Sequence, residues 1–314
     1  MDLVTLHDVE AAAAEIAGRV IRTPLLPANW DPELWLKPES LQPVGSFKLR
    51  GATNAVARLA DAQRVRGVVT HSSGNHGQAL AYAARAAGVP CTVVIPEGAP
   101  LVKIEQVRAL GAEVVLVAPA DRLVTAERIV AEQGRTLIPP YDDRRVIAGQ
   151  GTIGLEIVED LPEVDVVLVP VGGGGLSSGV ATAVKALRPG TAVYGVEPAY
   201  AADAQESLAA GELVVWDLAR THRTSADGLR TNLAALTLAH LMEYLDGIVT
   251  VTEEEIAAAT ARLVRGARLV VEPSGAVATA ARLFRAAELP PGRTVAVVTG
   301  GNVDPAVLAA AAVA

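Results

Sequence analysis

The sequence contains a single cysteine, Cys91, which excludes an internal disulfide and a multi-thiolate metal site. Cys91 sits in the apolar run "VPCTVVIP" and is expected to be a core strand residue. Aromatic residues make up only 3% of a chain that is 51% hydrophobic, so the core must be built from Ala, Val and Leu. No apolar run approaches the ~20 residues that cross a bilayer, so no membrane span is expected. No basic block argues for nucleic acid, and the formal net charge is −8. The start "MDLVTLHDVE" lacks the basic-then-apolar pattern of a secretory signal, and a cytoplasmic protein is expected. Lysine is scarce as well: of 27 basic residues only Lys37, Lys48, Lys103 and Lys185 are lysines. Where charge alone matters, arginine replaces lysine freely. A lysine kept in the tight turn "QPVGSFKLRG" (42–51) points to amine chemistry that a guanidinium cannot perform. The other three are read as solvated surface lysines.

What is present is a regular alternation. Val-rich runs at 67–71, 91–95, 113–118, 165–171, 192–197, 247–252 and 294–299 read as strands. Ala-rich stretches of helical length lie between them, among them "NHGQALAYAARAAG", "LVTAERIVAEQG" and "EEEIAAATARLVRGARLV". Most end in glycine, which tolerates the left-handed C-terminal cap. Apolar strands separated by helices predict an α/β protein with parallel sheets covered on both faces. The 314 residues suffice for about two domains. The turn-rich, charged stretch "IPPYDDRRVIAGQG" is the expected crossover between two sheets. It gives a discontinuous large domain (1–57 and 146–314) with a small mobile domain (58–145) inserted.

Four strand-to-helix junctions carry the chemical signal. "VGGGGLSSG" (171–179) exposes consecutive backbone N–H groups at the positive end of a helix, a cradle for phosphate or merely a tight turn. The dinucleotide fingerprint fails there, because the glycine it requires at 177 or 178 is serine. "HSSGNHGQAL" (71–80) offers Ser72, Ser73 and Asn75 either as helix caps or as part of a carboxylate receptor. "VVEPSGAV" places Glu272 at a third junction, and "VVTGGNVDP" closes the last strand with a hydroxyl and two glycines. In a parallel sheet such turns gather at the C-terminal edge, where ligands bind.

"GSFKLRGA", "SSGNHGQA", "GGGGL", "EPSGA" and "TGGNVD", in this order and spacing, resemble the serine/threonine dehydratase and serine racemase group. These are pyridoxal-phosphate enzymes of the two-domain tryptophan synthase β-like fold, fold type II. The likeness runs from about residue 5 to 305. It implies that Lys48 holds pyridoxal 5'-phosphate covalently through its amine and moves protons at the substrate α-carbon. It places Phe47 against the pyridine ring, Asn75 at the 3-hydroxyl and Thr299 beside the ring nitrogen. Gly172, Gly173, Gly174 and Gly175, with the Leu176 amide, hold the phosphate. Ser72, Ser73, Gly74, Asn75 and His76 bind the substrate carboxylate, and Asp227 contacts the substrate side. Ser73 stands where racemases of this group carry the acid/base opposite the lysine, which makes it a second catalytic candidate. Glu197 and Asp203, with the Ala201 carbonyl, match the group's divalent-cation site. Their hard oxygens suit Mg²⁺ or Ca²⁺. A homodimer is implied too.

The neutral hydroxyl of Thr299 does not enforce a protonated ring, which weakens the electron sink and suits β-elimination. The expected activity is therefore dehydration and deamination of L-threonine or L-serine to a 2-oxo acid and ammonia. Serine racemization, with or without elimination, is the alternative, as is dehydration of 3-hydroxyaspartate. Val44 replaces the threonine usual before Gly-Ser-Phe-Lys, and a hydroxyl lost at the cleft rim would favour such a different substrate. A non-catalytic small-molecule binder that keeps the fold has no need of the Lys48 amine.

Overall fold

The computed structural model describes residues 2–72, 74–99 and 101–314. Among these residues the strands are β1 (Leu26–Pro27), β2 (Leu34–Pro38), β3 (Val68–Thr70), β4 (Cys91–Pro96), β5 (Glu113–Val117), β6 (Thr136–Leu137), β7 (Val166–Pro170), β8 (Ala192–Pro198), β9 (Gly247–Val251) and β10 (Thr294–Val298). They form a six-stranded sheet, β1-β2-β10-β7-β8-β9, and a four-stranded sheet, β5-β4-β3-β6. Every pairing is parallel except β1 with β2. All seven Val-rich runs are strands. The two-residue β1 and β6, and β2, have no such run to announce them.

Alternate residues of each central strand enter opposite cores, as the two-residue period of a strand demands. In β7, Val166 and Leu168 pack with Ala276, Val277 and Ala280 of the helix Pro273–Phe284. Val167 and Val169 pack on the other face with Ile153 and Ile157 of helix Arg144–Asp160 and Val180 and Val184 of helix Gly175–Leu187. In β4, Cys91, Val93 and Ile95 meet helices Lys48–Ala57 and Asn75–Ala86, while Val94 meets helix Arg122–Gln133. Cys91 is buried as expected, and burial pushes its thiol up to about 12. Val44 belongs to this same core. Its carbonyl accepts from Asn302 Nδ2 at 2.9 Å.

With so few aromatics, backbones approach closely. Helix Arg144–Asp160 lies between the helix that begins at Lys48 and the helix that begins at Gly175. A Cβ on Gly149 would sit 2.7 Å from the Gly51 Cα, and one on Gly179 would sit 2.5 Å from the Gly151 nitrogen. This helix is what becomes of the second half of "IPPYDDRRVIAGQG". The chain does cross from β6 to β7 here, but Asp143 caps a long helix, its Oδ1 accepting from the Arg145 N–H at 2.7 Å. The expected long helix after Glu253 also differs. It runs as α-helix to Arg262 and then widens into a π-turn over Leu263–Ala267, where Gly266 lies against the Trp30 ring.

Lys37 is a further correction. It is fully buried in β2, with Nζ 2.6 Å from Glu156 Oε2 and donating to the Thr23 carbonyl at 2.6 Å. Arg50, equally buried, pairs with Glu156 at 2.6 Å and Glu39 at 2.8 Å. Two cations and two carboxylates thus balance one another under the helix that carries Lys48. Lys103 and Lys185 keep partial exposure and pair with Asp227 and Asp246.

Candidate active site

The C-terminal end of β10 delivers the lysine. Phe47 N–H donates to the Thr299 carbonyl at 3.0 Å, Gly301 N–H donates to the Gly45 carbonyl at 2.8 Å, and Ser46 bridges Gly300. The "GSF" turn is therefore strapped to the "TGG" turn, and helix Lys48–Ala57 starts where the strap ends. Lys48 is half-buried as a residue, and its amine lies deep. Its Nζ donates to the Pro140 carbonyl at 2.7 Å and lies 5.0 Å from the Phe47 ring centroid. No carboxylate offsets the desolvation, so burial pulls this amine down to about 8.

Tyr141, next to Pro140, joins this amine to the glycine loop. A Cβ on Gly173 would run into the Tyr141 ring, and one on Gly175 would sit 2.8 Å from the Tyr141 Cβ. Gly174 has φ +86°, a left-handed turn that glycine makes without penalty. The N–H groups of Gly175, Leu176 and Ser177 precede the first bond of their helix, made by Ser178 N–H to the Gly174 carbonyl at 2.9 Å. They remain available to an anion. Thr299 is buried at the end of β10, with Oγ1 donating to the Ser274 carbonyl at 3.2 Å.

The four-stranded sheet contributes the junction after β3. Its helix begins at Asn75 with Gly74 as N-cap and no side-chain cap bond. Asn75 is therefore not the cap its type suggested. Its Nδ2 donates to Glu272 Oε1 at 2.7 Å and its Oδ1 accepts from Asn302 Nδ2 at 2.7 Å, tying the two sheets together. Asn75, His76 and Gly77 have N–H groups ahead of the first helical bond, Gln78 N–H to the Gly74 carbonyl. The His76 ring is buried against the Ile138 carbonyl, 2.9 Å from Nε2. Burial and the Lys48 charge pull it down to about 3, so the ring is neutral and its backbone amide is what faces the junction. Ser72 is half-buried beside them, and Ser73 lies outside the described residues. Asp227 pairs with Lys103, its Oδ2 3.3 Å from Lys103 Nζ.

Residues 16–300 match the model of the family described as "Pyridoxal-phosphate dependent enzyme". The chain belongs to this family. Among its relatives in the pyridoxal-phosphate dependent enzyme family, the L-threonine ammonia-lyase of Thermotoga maritima is 42% identical over 96% of this chain and 76% of its own. The L-threo-3-hydroxyaspartate ammonia-lyase of Saccharomyces cerevisiae is 39% identical over 97% and 95%. The crystal structure of serine racemase from Dictyostelium discoideum superposes with a TM-score of 0.89 at 39% identity, covering 96% of this chain and 99% of that one. The chain is thus a pyridoxal-phosphate enzyme of the serine/threonine dehydratase and serine racemase group, with a tryptophan synthase β-like fold.

The residues present fit the family's cofactor. A deep amine without an anionic partner and a glycine bend with unshared amides lie against the adjacent residues Pro140 and Tyr141, which suits a molecule bearing an aldehyde and a phosphate. A second pair of buried acids lies at the end of β8. Glu197 accepts from the Ala204 and Gln205 N–H groups at 3.0 and 2.8 Å, and Asp203 accepts from Leu233 N–H at 3.0 Å. Burial raises both carboxyls, Asp203 to about 6, with no cationic side chain among the causes. Ala201 is buried beside them in the chain, and the three residues carry oxygen donors alone, the kind a hard cation takes. Tyr141, Pro140 and Asn302 escaped the sequence reading. Only Asn302 carried a signal there, in "TGGNVD".

Proposed function

We propose that this protein removes water from a β-hydroxy amino acid, L-threonine or L-serine, and releases a 2-oxo acid and ammonia. When bound, pyridoxal phosphate supplies an electron sink for bonds broken at the substrate α-carbon. Gly172, Gly173, Gly174 and Gly175 with the Leu176 amide hold its phosphate, Phe47 packs on its ring, and Asn75 and Thr299 meet its 3-hydroxyl and ring nitrogen. The Lys48 amine, already poised near neutrality, takes the α-proton. Ser72, Gly74 and the amides of Asn75 and His76 bind the substrate carboxylate, with Asp227 on the side-chain side. Residues 58–145 close as a small unit and exclude water. Glu197, Asp203 and the Ala201 carbonyl hold Mg²⁺ or Ca²⁺ away from the reacting atoms.

The observation that carries this reading is the convergence at Pro140 and Tyr141: one holds the Lys48 amine, the next lies on the glycine bend. The named activities of the relatives support elimination, since ammonia-lyases stand among them. Serine racemization is the second reading, supported by Ser73 in the sequence and by the relatives named serine racemase. Purified protein with pyridoxal phosphate is incubated with L-threonine, L-serine and L-threo-3-hydroxyaspartate, and both 2-oxo acid and D-isomer are measured. Rapid 2-oxo acid formation, lost in Lys48→Ala, is expected. D-serine as the sole product would overturn the lyase reading. In the bifunctional case Ser73→Ala suppresses the D-isomer more than elimination.

A further inference from the structure

Three polar side chains meet where the two sheets face each other, and the reaction as read above uses only Asn75. Glu272 precedes helix Pro273–Phe284 and Asn302 follows β10. Asn302 Nδ2 donates both to Asn75 Oδ1 at 2.7 Å and to the Val44 carbonyl at 2.9 Å. A carbonyl can only accept, so Val44 fixes which end of the Asn302 amide is nitrogen. Asn302 in turn fixes Asn75, because an inverted Asn75 amide would set donor against donor. Glu272 then takes one Nδ2–H of Asn75 at 2.7 Å. The second Nδ2–H is left over.

Glu272 is built for this service. It is 4% exposed, its own N–H donates to the Gly300 carbonyl at 3.0 Å, and its Oε1 lies so close to Gly300 that no side chain fits there. Burial raises its carboxyl to about 8, and Asp227 pushes the same way against Asn75, Lys103 and the backbone N–H of Asn302. Near neutral pH it therefore anchors Asn75 without setting a full negative charge beside the site.

We propose that Glu272 and Asn302 are positioning residues that aim the free Asn75 Nδ2–H at the 3-oxygen of the cofactor ring, and so hold that oxygen in its ionised form. This rests on the placement of Asn75 at the cofactor proposed above. The test is spectroscopic and needs no turnover. Purified protein is loaded with pyridoxal phosphate, and its long-wavelength band (ring oxygen ionised) is compared with its short-wavelength band (ring oxygen protonated). Loss of one charge-assisted hydrogen bond shifts the ratio about tenfold toward the short-wavelength form, in Asn75→Ala and in Glu272→Ala alike. Glu272→Gln keeps a carbonyl acceptor and keeps the wild-type ratio. The double variant Asn75→Ala/Glu272→Ala shifts no further than Asn75→Ala, because Glu272 acts only through Asn75. Asn302→Ala, which cuts the other tether, gives the same shift should Glu272→Ala fail to fold.

An unchanged ratio in both Glu272→Ala and Asn302→Ala, with Asn75→Ala shifted, overturns the positioning role even if the melting temperature falls. A double variant shifted beyond Asn75→Ala overturns it as well. Wild-type protein with no cofactor band, or an Asn75→Ala protein with the wild-type ratio, overturns the underlying placement and this role with it.

Discussion

Lys37 and Lys48 are both interior amines, set close together in the chain and held in different company. Lys37 Nζ sits 2.6 Å from Glu156 Oε2, within a cluster that also contains Arg50 and Glu39. Burial pulls its amine down while Glu156 and Glu39 hold it up. Lys48 Nζ meets a carbonyl oxygen instead, and burial acts on it without opposition. A buried charge with a matched partner is architecture. A buried amine without one suits the role proposed for Lys48, since its neutral, nucleophilic form is within reach near physiological pH.

Exchanging the two environments by mutation separates them most sharply. Lys48→Ala is expected to lower turnover about 10⁴-fold or more, while its urea unfolding midpoint stays close to wild type. Arg50→Met reverses the pattern: stability falls by about 3–5 kcal/mol because Glu39 and Glu156 lose a partner. The protein that remains folded still binds pyridoxal phosphate. Equal losses of stability in both variants would erase the distinction.

The acids at the end of β8 extend the comparison to carboxylates, for they too lie buried without a cationic side chain. Mg²⁺ or Ca²⁺ at a hundredfold excess over its Kd should stabilise the protein by about 2.7 kcal/mol in denaturant titrations. Asp203→Asn should abolish that gain, and a wild-type protein indifferent to both ions would remove the cation site. The smallest effect concerns pH. The neutral Lys48 amine is the form that captures an aldehyde, and its fraction rises with pH to the folded value of about 8. Recombination of cofactor-free protein with pyridoxal phosphate should accelerate about tenfold per unit below that point and level off above it. A rate still climbing toward pH 10 would show an ordinary, solvated lysine.

Much of this was legible because it is local. Valine runs mark buried parallel strands, glycines close helices, and the five motifs sit at the turns that form the candidate site. What stayed hidden depends on partners far along the chain. Lys37 looks solvated until Glu156, 119 residues away, is placed against it. "PPYDD" followed by Gly149, Gly151 and Gly154 reads as irregular, because glycine weakens an isolated helix. Those glycines make sense only once the flanking helices press against them. Asn75 looks like a cap, and only the folded chain reveals Glu272 and Asn302 on either side of its amide.

The bare backbone seam along helix Arg144–Asp160 works as a gauge block. One side touches the helix carrying the amine, the other the helix carrying the tetraglycine bend, so the span between the two proposed cofactor anchors is set by atoms that no side-chain exchange can trim. On the proposed reading, new substrates are accommodated by changes around Asp227, while the spacing that would grip the coenzyme is left untouched.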